Sequence, residues 1–179
     1  ELSALFATLK AEMGSLDMIV HSIAFAPRSS MEGRFIDTTL EDWNTTLGVS
    51  AYSLISTIRY LEPLLNPGAS IITMTYYASQ RVVPKYNVMG VAKAALEASV
   101  KYLAMDLGPE NIRVNAISPG PMKTLAGAAI GGARKTFRQT EANAPLRSNA
   151  TLESVGGTAV YLASDYGCFT TGEIVRVDG

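Results

Sequence analysis

Four short apolar runs rich in β-branched residues recur along the chain: "LDMIVHSIAF" from Leu16, "SIITMTYY" from Ser70, "IRVNAISPG" from Ile112 and "GEIVRVDG" at the end. Between them lie stretches whose apolar residues recur at helical intervals. The runs are apolar throughout rather than alternating, so each expected strand must be covered on both faces. Strict alternation of such strands with helices predicts an α/β fold, a doubly wound parallel sheet of about four strands flanked by helices. No internal repeat and no second hydrophobic unit interrupts residues 1–179, which are expected to form a single domain.

The first helix is expected over "SALFATLKAEMG", stopped by Gly14, and the first strand from Met18 to Ile23 as a buried strand. "APRSSMEGRF" reads as loop. Thr39, with Asp42 three places on, caps a helix through "EDWNTTLGVSAYSLISTIRYLEPLL" that Asn66, Pro67 and Gly68 close. The second strand is followed by a polar loop and the helix "NVMGVAKAALEASVKYLAMDLG", ended by Gly108 and Pro109. Residues 121–145 hold five glycines or prolines among small residues and are expected to be mobile. Thr151 caps a last helix, with Glu153 in its first turn. In parallel sheets ligands bind beyond the carboxyl ends of the strands, which directs attention to the residues just after Ile23, Thr75 and Ser118.

Composition narrows the partners. Fifteen basic against sixteen acidic residues leave a formal charge of −1, no footprint for a nucleic-acid backbone or an anionic membrane surface. A lone cysteine, Cys168, forms no internal disulfide and suits a reducing compartment, cytoplasm or an organelle matrix such as a plastid. No apolar run approaches the roughly 20 residues that span a bilayer, and no cluster has metal-ligand spacing. The chain opens at Glu1, already in helical pattern, and reads as entered partway along. The glycine-rich turn and ribose-reading acid of a dinucleotide site are not found; "GAAIGG" at 127–132 follows no strand and reads as a flexible segment rather than a phosphate cradle.

"YNVMGVAK" places Tyr86 and Lys93 seven positions apart on an expected helix. At about 100° per residue, seven steps return a side chain to within about 20° of its starting direction, so both groups can face one cavity. An ammonium there is expected to favour the phenolate, lowering the tyrosine pKa, and to donate to ribose hydroxyls. A solvated helix face explains the spacing equally well. The surrounding sequence is more specific: "TYYASQRVVPKYNVMGVAKAALEASVKYLAMDLGPENIRVNAISPGP", with "HSIAFAP", "KTLAGAAI" and "GEIVRVDG", closely resembles the NAD-dependent enoyl-acyl-carrier-protein reductases, divergent members of the short-chain dehydrogenase/reductase superfamily. The resemblance covers essentially the whole chain. Ordinary superfamily members place the lysine four residues after the tyrosine; here that position is Gly90.

The resemblance implies a Rossmann-like reductase domain, here its C-terminal portion, and a set of site residues. Tyr86 and Tyr76 would be the active-site tyrosines and Lys93 the residue holding the nicotinamide ribose. Ser22, Ile23, Ala24, Met122, Thr124, Leu125 and Ala126 would contact the cofactor. Ala26, Met89, Pro121 and Ile130 would join the two tyrosines around the substrate. The glycine-rich stretch would be a substrate-binding loop ordering over the acyl chain. Arg134, Lys135 and Arg138 would face an acidic carrier protein or simply solvent, and Gly131 stands where relatives often carry another basic residue. His21, the only histidine, reads as structural. Trp43, Tyr52, Tyr60, Tyr102 and Tyr161 read as core or interface, and small residues in "AKAALEASV" would permit the homotetramer common among relatives.

The implied activity is reduction of the trans-2 double bond of enoyl-acyl-carrier-protein thioesters by hydride from NADH, with NADPH left open because the residue reading the adenosine ribose is not in view. Two alternatives remain at this point: a 3-ketoacyl or other carbonyl reductase of the same superfamily, and a non-catalytic assembly module.

Overall fold

A computed structural model describes residues 2–122, 124 and 133–179, without the side chains of Ala133 and Arg134. Helix α1 (Leu2–Glu12) leads into strand β1 (Leu16–His21), then the short helix α2 (Arg28–Met31), α3 (Leu40–Leu47), a π turn (Gly48–Tyr52) and α4 (Ser53–Leu61). Strand β2 (Leu65–Met74), helix α5 (Asn87–Leu107) and strand β3 (Arg113–Pro119) follow, then α6 (Ala133–Asn143), α7 (Leu152–Ala163) and β4 (Ile174–Val177). The strands lie in the order β1-β2-β3-β4, every neighbouring pair parallel.

Neighbouring residues of β2 show why the central strands are apolar throughout. Ile71 packs with Leu54, Leu96, Val100 and Val114 in the core under α1, α4 and α5, whereas Ile72 packs with Ile117, Val155 and Leu162 under α7. Both isoleucines are fully buried, because successive side chains point to opposite, equally covered faces. The α/β doubly wound architecture expected from the sequence is the one observed.

Several local expectations are corrected. The first strand runs over Leu16–His21, and Met18, Val20 and Ile23 are exposed rather than buried, since β1 is the edge of the described sheet and its Leu16 and Ile19 face the core. The polar "APRSSMEGRF" loop contains α2. The single helix expected from Glu41 is interrupted by the π turn, and Pro63 converts its end to a 3₁₀ turn, Glu62–Leu64. The second strand begins at Leu65, with Asn66, Pro67 and Gly68 already within it, and ends at Met74 rather than at Tyr77. Part of 121–145, expected to be mobile throughout, is the helix α6; its "ARKTFRQTEAN" sequence holds no glycine or proline. Tyr52, Tyr60, Tyr102 and Tyr161 are exposed and so are not core.

Caps follow the sequence more closely. The Thr39 hydroxyl accepts from the Asp42 amide at the start of α3, and Thr151 and Ser154 form a reciprocal capping box on α7.

Helix α5 passes close to the 3₁₀ turn Tyr77–Ser79 at Gly90, where a Cβ would lie 2.9 Å from the Ala78 carbonyl oxygen. Backbone oxygen cannot swing aside as a side-chain tip can. Gly90→Ala is therefore expected to lower stability by about 1–3 kcal/mol, read as an earlier urea midpoint. An unchanged midpoint would show that the turn yields without cost.

Candidate active site

Three chain segments leave the carboxyl ends of neighbouring strands and converge on one cavity of about 880 Å³. After β1 come Ser22, Ile23, Ala24, Phe25 and Ala26; after β2, Thr75 and Tyr76; after β3, Gly120, Pro121 and Met122. The start of α5 supplies Tyr86, Met89 and Lys93, and Thr124 completes the set of described residues that the sequence singled out. Leu125, Ala126, Ile130 and Gly131 lie outside the described residues, as does the side chain of Arg134. Of the basic cluster, Lys135 reaches the cavity, while Arg138 lines a shallower depression with Gln139 on α6.

Tyr86 is the N-cap residue of α5, 7% exposed. Its neighbours Lys85 and Asn87 both have left-handed backbone, with φ of 64° and 38°. Asparagine tolerates that region, but lysine is uncommon there. The strained turn sets Tyr86 across from Tyr76, whose ring meets it edge-on at a centroid distance of 5.2 Å and an interplanar angle of 65°. Burial, and secondarily the facing Tyr76, push the Tyr86 pKa well above that of an ordinary phenol; burial raises Tyr76 as well. The expectation that Lys93 would lower the Tyr86 pKa is thus corrected: loss of solvation and the facing Tyr76 set the direction, and both tyrosines remain protonated donors near neutrality.

Lys93 follows two turns later, 6% exposed, its Nζ donating a 2.7 Å hydrogen bond to the Met74 carbonyl at the end of β2. Burial pulls its pKa down to about 8, a shift that the nearby Glu97 opposes. Gly90, the position of the lysine in ordinary superfamily members, faces the Ala78 carbonyl too closely for any side chain without backbone movement.

The strand end after β1 is fixed from the π turn, a feature the sequence did not single out. The Ser50 hydroxyl, fully buried, donates to the Phe25 carbonyl at 2.8 Å and accepts from the Phe25 amide at 2.9 Å, so one side chain satisfies both backbone groups. Ser53 donates to the Val49 carbonyl at 2.6 Å and stands 2.9 Å from Nε2 of His21, whose Nδ1 lies 3.0 Å from the Thr73 hydroxyl. His21 is accordingly a buried structural group held below its usual pKa by burial and by the charge of Lys93. Two serines three apart gave no signal in a helix expected to be regular; the π turn, which holds Ser50 and leads into Ser53, sets them against Phe25 and His21. Phe25, Lys85 and Phe137 also line the cavity without having been singled out.

Chemically, the cavity offers two neutral phenols, cationic groups on Lys85, Lys93 and Lys135, and apolar walls from Ile23, Met74, Met89 and Met122. No aspartate or glutamate is among its described lining residues, and no metal-binding cluster occurs among the described residues. The arrangement suits an anionic ligand and a reaction in which oxygen gains negative charge.

Burying the Lys93 cation costs roughly 3 kcal/mol, since each pKa unit is about 1.4 kcal/mol. The folded pKa lies below the unfolded one, so the cost is present in full below pH 8 and fades as pH rises towards 10.5. Lys93→Met removes it but leaves the Met74 carbonyl without its donor, about 1–3 kcal/mol in the other direction. The expected result at pH 7 is a urea midpoint unchanged or raised; a loss of more than about 2 kcal/mol, on the same scale of hydrogen-bond loss, would contradict a destabilising buried charge.

A family model described as "Enoyl-(Acyl carrier protein) reductase" matches residues 1–179. The chain is 52% identical over 177 residues to an enoyl-[acyl-carrier-protein] reductase [NADH] of Rickettsia felis, covering 99% of this chain and 68% of the relative. A solved enoyl-acyl-carrier-protein reductase of Anaplasma phagocytophilum, in complex with NAD, superposes with a TM-score of 0.94 at 50% identity over 99% of this chain and 68% of that one. The Bacillus cereus enzyme with NADP+ and indole naphthyridinone superposes with a TM-score of 0.96 at 48% identity, covering 99% and 69%. Matched by that family model over residues 1–179 and 52% identical to a relative across 99% of its own length, the chain belongs to the enoyl-acyl-carrier-protein reductase family.

Proposed function

We propose that this chain carries the reducing centre of an NADH-dependent enoyl-acyl-carrier-protein reductase, which reduces the trans-2 double bond of acyl thioesters in the last step of the fatty acid elongation cycle. The observation that carries the reading is a buried protonated phenol, Tyr86, beside a buried lysine and a second tyrosine on a cavity whose described lining lacks any carboxylate. Relatives named for NADH and a solved relative holding NAD support that cofactor.

The residues present fit such a cofactor. Ser22 and Ala24 place small groups and backbone at a strand end on either side of the apolar Ile23, Lys93 presents an ammonium for ribose hydroxyls, and Met122, Thr124, Leu125 and Ala126 complete the proposed contacts. Bound there, the dihydronicotinamide supplies hydride for the β-carbon of the thioester. Tyr86 holds a hydrogen-bond donor at the thioester oxygen as negative charge gathers on it, and its raised pKa keeps the proton on the phenol. Tyr76, edge-on to Tyr86, fixes that ring and faces the same acyl group. Ala26, Met89, Pro121 and Ile130 are the proposed acyl contacts. The segment 121–145 would serve as the substrate-binding loop, excluding water and so strengthening each electrostatic contact.

Lys135 and Arg138 are candidates to face the acidic carrier protein, with Arg134 beside them in sequence. The exposed Tyr102 and Tyr161 are candidates for contacts within a homotetramer in the cytoplasm or a plastid-like matrix. A carbonyl reductase is the weaker reading, because position 90 is closed to a lysine by the Ala78 carbonyl.

Tyr86→Phe is expected to lower kcat on crotonyl thioester by about 100-fold, within the usual range for one oxyanion donor, with NADH affinity nearly unchanged. Full turnover in that variant would remove Tyr86 from the chemistry. Lys93→Met, stable as argued above, should bind NADH at least about tenfold more weakly, as loss of a charged hydrogen bond implies. For the unmodified protein, NADH affinity should hold below pH 8 and decline above it, as the free lysine loses its proton at about 8. Fluorescence titration of NADH across pH reads this directly, and an affinity flat to pH 10 would exclude the ammonium as the contact. Absence of NADH binding at any pH would favour a non-catalytic module.

A further inference from the structure

Glu97 is buried in α5 at 8% exposure, does not line the cavity and has no part in the chemistry above. Burying a carboxyl group is costly unless partners compensate it. Its Oε1 accepts a 2.8 Å hydrogen bond from the Thr75 hydroxyl, and it lies one helical turn beyond Lys93 on the same face of α5. Lys93 meanwhile donates to the Met74 carbonyl. The last residue of β2 and the one after it are each tied to α5 by an ionisable side chain, and the next residue is Tyr76, whose ring meets Tyr86.

We propose that Glu97 is a positioning residue of the reducing centre: it fixes the end of β2 against α5 so that Tyr76 meets Tyr86, and it acts as counter-charge for the buried Lys93 ammonium. The first role is independent of the cofactor; the second matters to catalysis only if Lys93 holds the ribose as described. Other groups around Lys93 do not replace this charge. His21 on β1 is a buried imidazole whose pKa is lowered, and Tyr76 and Tyr86 are neutral phenols. On the elements packed against α5, Arg28 of α2, Glu41 of α3 and Arg59 of α4 are exposed, Asp42 of α3 is engaged by the Ser29 hydroxyl, and Arg113 of β3 donates to the Leu162 and Gly167 carbonyls.

The test compares Glu97→Gln and Thr75→Val with the unmodified protein. Glutamine keeps an oxygen for the Thr75 hydroxyl but no charge; valine removes the hydrogen bond and keeps the charge. In the unliganded protein, an NMR titration of the Lys93 side chain should move at least about one unit lower in Glu97→Gln, as expected for loss of a close opposite charge, and stay in place in Thr75→Val. NADH binding by Glu97→Gln should recover to the unmodified level near pH 6, a recovery that a general packing defect would not show. Thr75→Val should lower kcat about tenfold with the KM for NADH unchanged, in line with a misplaced active-site side chain. Coincident Lys93 titrations would overturn the counter-charge, and unmodified kcat in Thr75→Val would overturn the positioning, even if Glu97→Gln did not fold. A lowered Lys93 titration with unaltered NADH binding would uphold the counter-charge and overturn the ribose contact instead.

Discussion

The constraint that most of this site depends on is the burial of one ammonium at the mouth of a parallel sheet. Lys93 lies against the carboxyl end of β2 with its charge nearly out of water, and the protein bears that cost locally through the Met74 carbonyl and Glu97. Holding the lysine there requires α5 to lie close on the strand ends and on the 3₁₀ turn after them. That closeness is what leaves room for only glycine at position 90. Spacing, glycine and buried cation are one packing solution, and a lysine four residues after Tyr86 is incompatible with it.

The opposite wall of the cavity is held by another device. After β1 the chain leaves the edge of the described sheet, where its backbone groups would need solvent or a partner, and the π turn delivers Ser50 to Phe25 and Ser53 to His21. A regular helix through Gly48–Tyr52 would turn these hydroxyls elsewhere. The short helix α4 then continues with Leu54, Ile58 and Leu61 in the core, so the irregular turn is anchored on its carboxyl side by apolar packing.

What was legible in the sequence divides along physical lines. Continuous apolar strands and helical intervals reveal a parallel sheet because burial on both faces dictates residue type, as Ile71 and Ile72 show on their opposite cores. Thr39 and Thr151 were readable as caps because capping is local. Seven-residue spacing placed Tyr86 and Lys93 on one side of a helix, and the described cofactor and substrate positions singled out by family resemblance line one cavity. The π turn, the edge exposure of Met18 and Val20, and the tie between Glu97 and Thr75 were not legible. Each depends on which elements meet across distances that no local pattern records.

The pKa of Tyr86 shows the same limit in energetic form. From sequence, a lysine two turns away argues for a more acidic phenol, because Coulomb attraction is the only term visible in a spacing. In the fold both groups are buried, and desolvation, joined by the facing Tyr76, is what governs the phenol and raises its pKa. The outcome suits addition of hydride to carbon better than proton abstraction. A phenol that resists ionisation stays a donor while charge accumulates on a neighbouring oxygen, and it returns unchanged once that charge is quenched. Burial thus acts on the two groups in opposite senses, leaving Tyr86 a neutral donor and Lys93 a cation held close to losing its proton.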